Sequence, residues 1–144
     1  MLIGEYRHTI DSKRRVAVPA KMRKDLGEKV VITRGLDACL FMYSQTEWQK
    51  LVEKLSALPM GTAATRNFAR FMLAGAVEVE LDQLGRALLP DYLKDYAKLD
   101  KKVVVVGVNP RVELWDEKAW NEFTVKTESN ADELAEKLGQ VGAI

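Results

Sequence analysis

The spacing of apolar positions switches between period two and a period of three to four along this chain, and the switches mark out its elements. Tyr6–Ile10 is rich in aromatic and β-branched residues, ends at Asp11, and predicts a strand. Arg15–Val18 predicts a second, and the connection Ser12-Lys13-Arg14 predicts a hairpin joining the two. Pro19 lacks an N–H and holds φ near the helical value, so it predicts a short helix, Ala20–Leu26, ended by Gly27. Lys29–Thr33 and Cys39–Tyr43 read as two more strands around the turn Arg34–Ala38. Ser44-Gln45-Thr46-Glu47 is a capping box, and Trp48, Leu51, Val52 and Leu55 then make one apolar stripe of a helix.

The same order of elements then returns. The segment DSKRRVAVP, Asp11 to Pro19, recurs as DQLGRALLP, Asp82 to Pro90, at an offset of 71 residues, and Gly4 and Gly75 share that offset. Gly35-Leu36-Asp37 matches Gly107-Val108-Asn109 and Trp48 matches Trp120 at an offset of 72, which predicts one inserted residue near Met22–Lys29. The second copy accordingly predicts a helix at Asp91–Ala97, strands at Lys102–Val106 and Val112–Trp115, and a helix capped by Asp116 carrying Trp120 and Phe123. Between the copies, Thr62–Ala74 predicts a helix with Phe68, Phe71 and Met72 on one side, packed as a bridge. Asn130-Ala131-Asp132-Glu133 opens a terminal helix bearing Leu134 and Leu138. A single copy would make a marginal core, so the halves are expected to pack on each other or on another subunit.

In a three-residue loop of this kind one position favours a left-handed backbone, which glycine takes without cost. The second copy has Gly85 there and the first has Arg14. Either Arg14 tolerates positive φ at some cost or the first loop has another geometry. The Asp-x-x-x-Arg spacing lets the carboxylate cap loop amides and accept a guanidinium, which is a structural staple at both Asp11 and Asp82.

Composition adds little until it is divided. The 144 residues carry a net charge of only +1, so nothing global marks a polyanion partner. Residues 1–27, however, hold seven Lys and Arg against three Asp and Glu, a net of +4, whereas residues 76–98 hold three against five, a net of −2. Lys13, Arg14 and Arg15 crowd one loop where the second copy has Gln83-Leu84-Gly85-Arg86, so positive charge is an addition to a working frame, and polyanion contact is its simplest use. Enzyme chemistry finds no constellation. His8 is the sole histidine and reads as a half-exposed strand residue, Cys39 reads as a small core residue, and the glycines stand singly at turns instead of forming a phosphate loop. No cofactor, metal or small-molecule substrate is expected. With one cysteine, no signal-length apolar run and no segment fit to span a bilayer, the expectation is a cytoplasmic protein without membrane contact.

Two Asp-x-x-x-Arg segments, each followed by a proline-started helix and two strands, closely resemble the MraZ family of transcriptional regulators over essentially the whole chain. Proteins of that family look like tandem fusions of two swapped-hairpin domains of the SpoVT/AbrB type. The resemblance implies an α+β fold in which two pseudo-symmetric ββαββα repeats form one β-barrel-like core with flanking helices. In this chain the repeats would be residues 5–52 and 76–124, with a bridging helical segment at 53–75 and a C-terminal helix at 125–144. It also implies a nucleoid-associated DNA-binding regulator, of repressor type, that acts on its own promoter and on the division and cell-wall gene cluster through short direct repeats. A ring-shaped homo-oligomer is implied as well. Carried onto this sequence, the motif residues are Asp11, Arg15, Asp82 and Arg86, with Lys13 and Arg14 in the first loop; Arg7 on the preceding strand is a further candidate DNA contact. A protein-interaction scaffold gripping an acidic partner through the same loops is the alternative reading.

Overall fold

The computed structural model describes all 144 residues. The first copy runs β1 (Ile3–Thr9), β2 (Arg15–Ala17), α1 (Ala20–Leu26), β3 (Lys29–Arg34), β4 (Leu40–Ser44) and α2 (Gln45–Ser56). After α3 (Ala63–Ala74) the second runs β5 (Val77–Glu80), β6 (Arg86–Leu88), α4 (Asp91–Tyr96), β7 (Lys102–Val108), β8 (Val112–Asp116) and α5 (Glu117–Ser129), with α6 (Ala131–Gln140) last. The fold is α+β. Caps fall where the side chains predict them: Ser44 Oγ accepts from the Glu47 amide at 3.1 Å, and Asp116 Oδ2 accepts from the Ala119 amide at 3.3 Å.

The predicted hairpin between β1 and β2 is not formed. A six-stranded antiparallel sheet runs in the order β1-β7-β8-β4-β3-β5, and β2 pairs only with β6 in a separate two-stranded ribbon. Each copy therefore lends its first strand to the other copy's third, and the two second strands pair across the pseudo-twofold axis. The turn itself is the predicted one: the Asp11 amide donates to the Arg15 carbonyl at 3.1 Å and the Arg14 amide to the Asp11 carbonyl at 3.0 Å. Beyond it the strands separate, with the Ile10 amide turned to Lys101 and the Val18 amide to Gly85. Turn chemistry closes a loop but does not choose the strand's partner. The partner is set by which apolar faces meet, and Val103–Val106 offers β1 a run buried on both faces.

The axis passes between Phe41 and Glu113, opposite each other in β4 and β8, and between Val16 and Ala87 in the ribbon. Val16 and Ala87 are fully buried, and with Val18, Leu89 and the inner residues of the sheet they form one core of 20 residues. Ribbon and sheet thus enclose a barrel-like core without closing a ring of hydrogen bonds. The sheet's other face packs beneath α2, α3 and α5 around Phe41, Tyr43, Trp115 and Met72, joined by Trp48 and Trp120.

The repeat differs from its expected register in one respect. Tyr6 faces Val105 as Val77 faces Ile32, and Val30 and Ile32 share the inner core with Val103 and Val105, an offset of 73 residues. An offset of 72 would turn every β7 side chain to the wrong face. Two residues are therefore inserted between α4 and β7, where Lys98 takes φ 51°. One is given back at the next turn, closed by Gly35 to Cys39 in the first copy and by Val108 to Arg111 in the second. Gly4 and Gly75 share an offset but not a conformation, with φ at 92° in β1 and −78° at the end of α3.

Helix α3 ties the copies together as predicted. Its last carbonyls accept from the first copy, Phe71 O from Arg34 Nη2 at 2.8 Å and Met72 O from Thr33 Oγ1 at 2.6 Å. From the second copy, Tyr92 donates to Gly75 O at 3.0 Å. Phe71 and Met72 are consumed in this packing, and of the predicted apolar side only Phe68 stays exposed. No helix is long and apolar enough to cross a membrane.

Candidate nucleic-acid interface

The ribbon carries the repeated motif on its outer side. Strand alternation sends Val16 and Ala87 inward and leaves Arg15, Ala17, Arg86 and Leu88 facing out. In the first loop the Asp11 Oδ1 accepts from the amides of Lys13 and Arg15, both at 2.9 Å, while Oδ2 accepts from Arg15 Nε at 2.7 Å. The second loop repeats this: Asp82 Oδ1 accepts from the Leu84 amide at 3.0 Å and the Arg86 amide at 2.9 Å, and Oδ2 from Arg86 Nε at 2.8 Å. The Arg15 and Arg86 amides, ahead of every other cause, hold these carboxyls below the ordinary range; the guanidinium bonds add to the effect and partial desolvation opposes it. Both carboxylates are fully ionised near neutral pH.

Each staple engages the arginine through Nε alone. The terminal nitrogens of Arg15 make no hydrogen bond in the chain, and those of Arg86 only approach Asp11 Oδ2, at 3.9 Å for Nη1. Two partly exposed guanidinium groups are thus pinned at the root on adjacent strands. Gly85 takes φ 75° and Arg14 φ 61°, so the first loop keeps the glycine-requiring geometry with an arginine in place.

Arg14 and Arg7 are placed differently from Arg15. Arg14 Nε donates to the Leu89 carbonyl at 3.1 Å and pairs with Asp91 Oδ1 at 3.2 Å, so its guanidinium fastens the first loop to the start of α4. Arg7 bonds Glu5 Oε1 at 3.2 Å and Asn121 Oδ1 at 3.1 Å and lies 3.8 Å from Glu117, joining β1 to α5 away from both loops. Lys13 alone of the loop cations has no side-chain partner within the chain. His8 is half-buried on β1, and Cys39 is fully buried with its thiol directed at the Leu36 carbonyl.

The strand exchange also brings in charge that a count along the sequence assigns to the wrong half. The first loop leaves β1 beside Lys101 and Lys102: the Ile10 amide donates to Lys101 O at 2.8 Å and Thr9 faces Lys102. The second loop leaves β5 beside Glu28 and Lys29, and there Lys29 is neutralised by Glu78 at 3.1 Å. The exchange thus redistributes charge between the ends: Lys101 and Lys102 come to the first loop, while Arg23 and Lys24 of the basic N-terminal segment line a cleft with the second.

Such an arrangement defines a class: tandem-repeat α+β proteins with exchanged hairpins and a stapled Asp-x-x-x-Arg loop at each end of a central ribbon. The family model described as "MraZ protein, putative antitoxin-like" matches this chain twice, over residues 1–71 and 72–141. Proteins named transcriptional regulator MraZ from Caldanaerobacter subterraneus subsp. tengcongensis and Moorella thermoacetica are each 51% identical to it over 138 residues, 96% of both chains. The protein of that name from Syntrophomonas wolfei is 44% identical over 142 residues, 99% of both chains. The chain belongs to the MraZ family.

Proposed function

We propose that this protein is a sequence-specific DNA-binding transcriptional regulator in which Arg15 and Arg86 read base edges and Lys13 grips phosphate. The observation that carries this is the pair of guanidinium groups rooted by Nε on Asp11 and Asp82, on the outer face of one ribbon, with no terminal nitrogen of either hydrogen-bonded within the chain and only Arg86 Nη1 near a carboxylate, 3.9 Å from Asp11 Oδ2. The major groove of B-DNA, about 12 Å wide, admits a two-stranded ribbon, and two terminal donors of an arginine match guanine O6 and N7. The unpaired Lys13 and the neighbouring Lys101 and Lys102 supply the sequence-independent attraction to phosphate. Arg14 supports the loop from beneath. Relatives carrying the name transcriptional regulator favour nucleic acid over an acidic protein as the partner.

On the family resemblance, the DNA is the protein's own promoter ahead of the division and cell-wall gene cluster, and binding to its short direct repeats represses transcription at the nucleoid. We further assign residues 5–52 and 76–124 as the two SpoVT/AbrB-like repeats, 53–75 as the bridge and 125–144 as the C-terminal segment. A ring-like homo-oligomer fits the surface: α5 and α6 bury none of their residues completely, and Val125, Leu134, Leu138, Val141 and Ile144 stand exposed. Head-to-tail contacts between unlike surfaces generate rings when the rotation closes. A band-shift with the duplex upstream of its own gene, against an unrelated duplex of equal length, tests the reading. Preferential binding that weakens steeply with salt supports it, and equal binding to both duplexes rejects sequence recognition. Light scattering at micromolar concentration tests assembly, and a monomer would reject the ring.

A further inference from the structure

The second loop carries no cation of its own beyond the stapled Arg86, yet the structure supplies one from the other repeat. The side chain of Arg23, on α1, lies across Gly85. A Cβ built on Gly85 would overlap its guanidinium, with Cδ and Cζ each 2.6 Å from that position. Gly85 therefore does two things: it takes the left-handed turn at φ 75°, and it leaves the space in which Arg23 rests. In the first loop the equivalent place belongs to the Cβ of Arg14 itself.

The two guanidinium groups differ in what balances them. Arg14 meets Asp91, the first residue of α4. The residue of α1 that corresponds to Asp91 is Ala20, so no carboxylate waits at the start of that helix. Glu28 and Asp82 line the same cleft as Arg23, but Asp82 is bound to Arg86 and neither forms an ion pair with Arg23. Arg23 has no partner among the ion pairs of the chain. A partly buried guanidinium laid over a loop backbone without a counter-ion is a ready partner for an anion.

We propose that Arg23 is the phosphate contact of the second loop, so that this end of the ribbon is a composite of one repeat's loop and the other repeat's helix. This rests on the reading of the ribbon as a DNA interface. It identifies the anion as a backbone phosphate beside the base pairs that Arg86 faces. The first end of the ribbon would grip phosphate through Lys13 in its own loop, and the second through Arg23 from α1.

The test uses the full chain and the duplex upstream of its own gene, with affinity measured across a salt series for the wild type, Lys13→Ala, Arg23→Gln and Arg23→Lys. Loss of one phosphate contact flattens the log affinity against log salt slope by about 0.9. Arg23→Gln is expected to show that change and Arg23→Lys to recover most of it, with the thermal unfolding midpoint of both at the wild-type value. Failure of the wild type to prefer that duplex would overturn the DNA reading, and this inference with it. If the wild type binds and Lys13→Ala flattens the slope while Arg23→Gln keeps the wild-type slope, only this inference is overturned. Should Arg23→Gln lower the unfolding midpoint, both variants are read in the range where they are folded: a slope flattened in Arg23→Gln and restored in Arg23→Lys supports the contact, and the wild-type slope in both rejects it.

Discussion

Lys13 and Arg14 are neighbours in one loop, and replacing each by alanine separately tests whether one faces the ligand while the other holds the fold. Arg14, with 41% of its side chain exposed, donates to the Leu89 carbonyl and pairs with Asp91. A charge-assisted hydrogen bond to a partly exposed group contributes about 1–2 kcal/mol, and the ion pair adds about 0–1 kcal/mol because Asp91 is mostly in solvent. Arg14→Ala removes both and leaves an L-residue at φ 61°, so a loss of about 1–3 kcal/mol is expected. Arg14→Gly removes the same bonds but relieves the left-handed backbone, recovering about 1 kcal/mol of that loss. Lys13 has no side-chain partner, so Lys13→Ala stays within about 0.5 kcal/mol of wild type. Urea unfolding reads these differences. Fluorescence anisotropy with promoter DNA reads the other half: one phosphate contact fewer changes the affinity ratio between about 50 and 200 mM salt by about 3.5-fold. The expected result is a double dissociation, with Lys13→Ala altering the salt slope alone and Arg14→Ala altering stability alone. Wild-type stability with a flattened slope in Arg14→Ala would refute the division of roles. A glycine variant no more stable than the alanine variant would refute the strain argument.

Three further outcomes follow from the same geometry. Arg15→Ala is expected to abolish the preference for promoter over unrelated duplex, with Arg86→Ala less damaging because its loop lacks the neighbouring Lys13, Lys101 and Lys102; a band-shift in which Arg86→Ala is the worse variant counts against this ordering. The carboxyls of Asp11 and Asp82 titrate lower in the folded chain than unfolded, so their contribution is fully present above the unfolded value of about 4 and is lost as pH falls through the lower folded values. Thermal midpoints measured from neutral pH downward are expected to drop in that acid window, and a double Asp11→Asn, Asp82→Asn variant with an unchanged acid profile would contradict it. Burial, reinforced by the nearby Glu113 carboxylate, pushes the Cys39 thiol far up, so a thiol reagent at pH 8 is expected to modify the native chain far more slowly than the urea-unfolded one; equal rates would show that the site opens.

Much of the architecture was legible because it is written in local signals. Proline before a helix, glycine after it and an acid at a cap act over a few residues, and α1 spans Ala20–Leu26 as those signals predict. The Asp11 and Asp82 staples were legible for the same reason, since four residues of chain separate carboxylate from guanidinium. Strand partners were not, because β1 reaches β7 across about a hundred residues and nothing in a tight turn specifies that distance. The alignment of glycines at an offset of 72 hid the parity of β7, which its apolar faces require to be 73. The surroundings of the candidate contacts were not legible either. Arg7, Arg14 and Arg15 are equivalent as letters, and only the fold brings Asn121 and Glu117 to the first, Asp91 to the second and a root-only staple to the third.

Exchange of strands explains how a doubled frame can carry unequal ends. In an unexchanged tandem each loop would be bounded by its own repeat, and a charge added to one repeat would alter one end alone. Here β1 leads into the first loop alongside β7, and the helix after β6 supplies Asp91 beneath that loop. The second loop rests in turn on β3 and on Arg23 of α1. Substitutions in either repeat therefore act at both ends of the ribbon, while the fully buried Val16 and Ala87 on the axis hold the ends in fixed relation. On the proposed reading of the ribbon as a DNA interface, two sites held rigidly together would meet one groove as a single event, since the second contact begins within reach of the first.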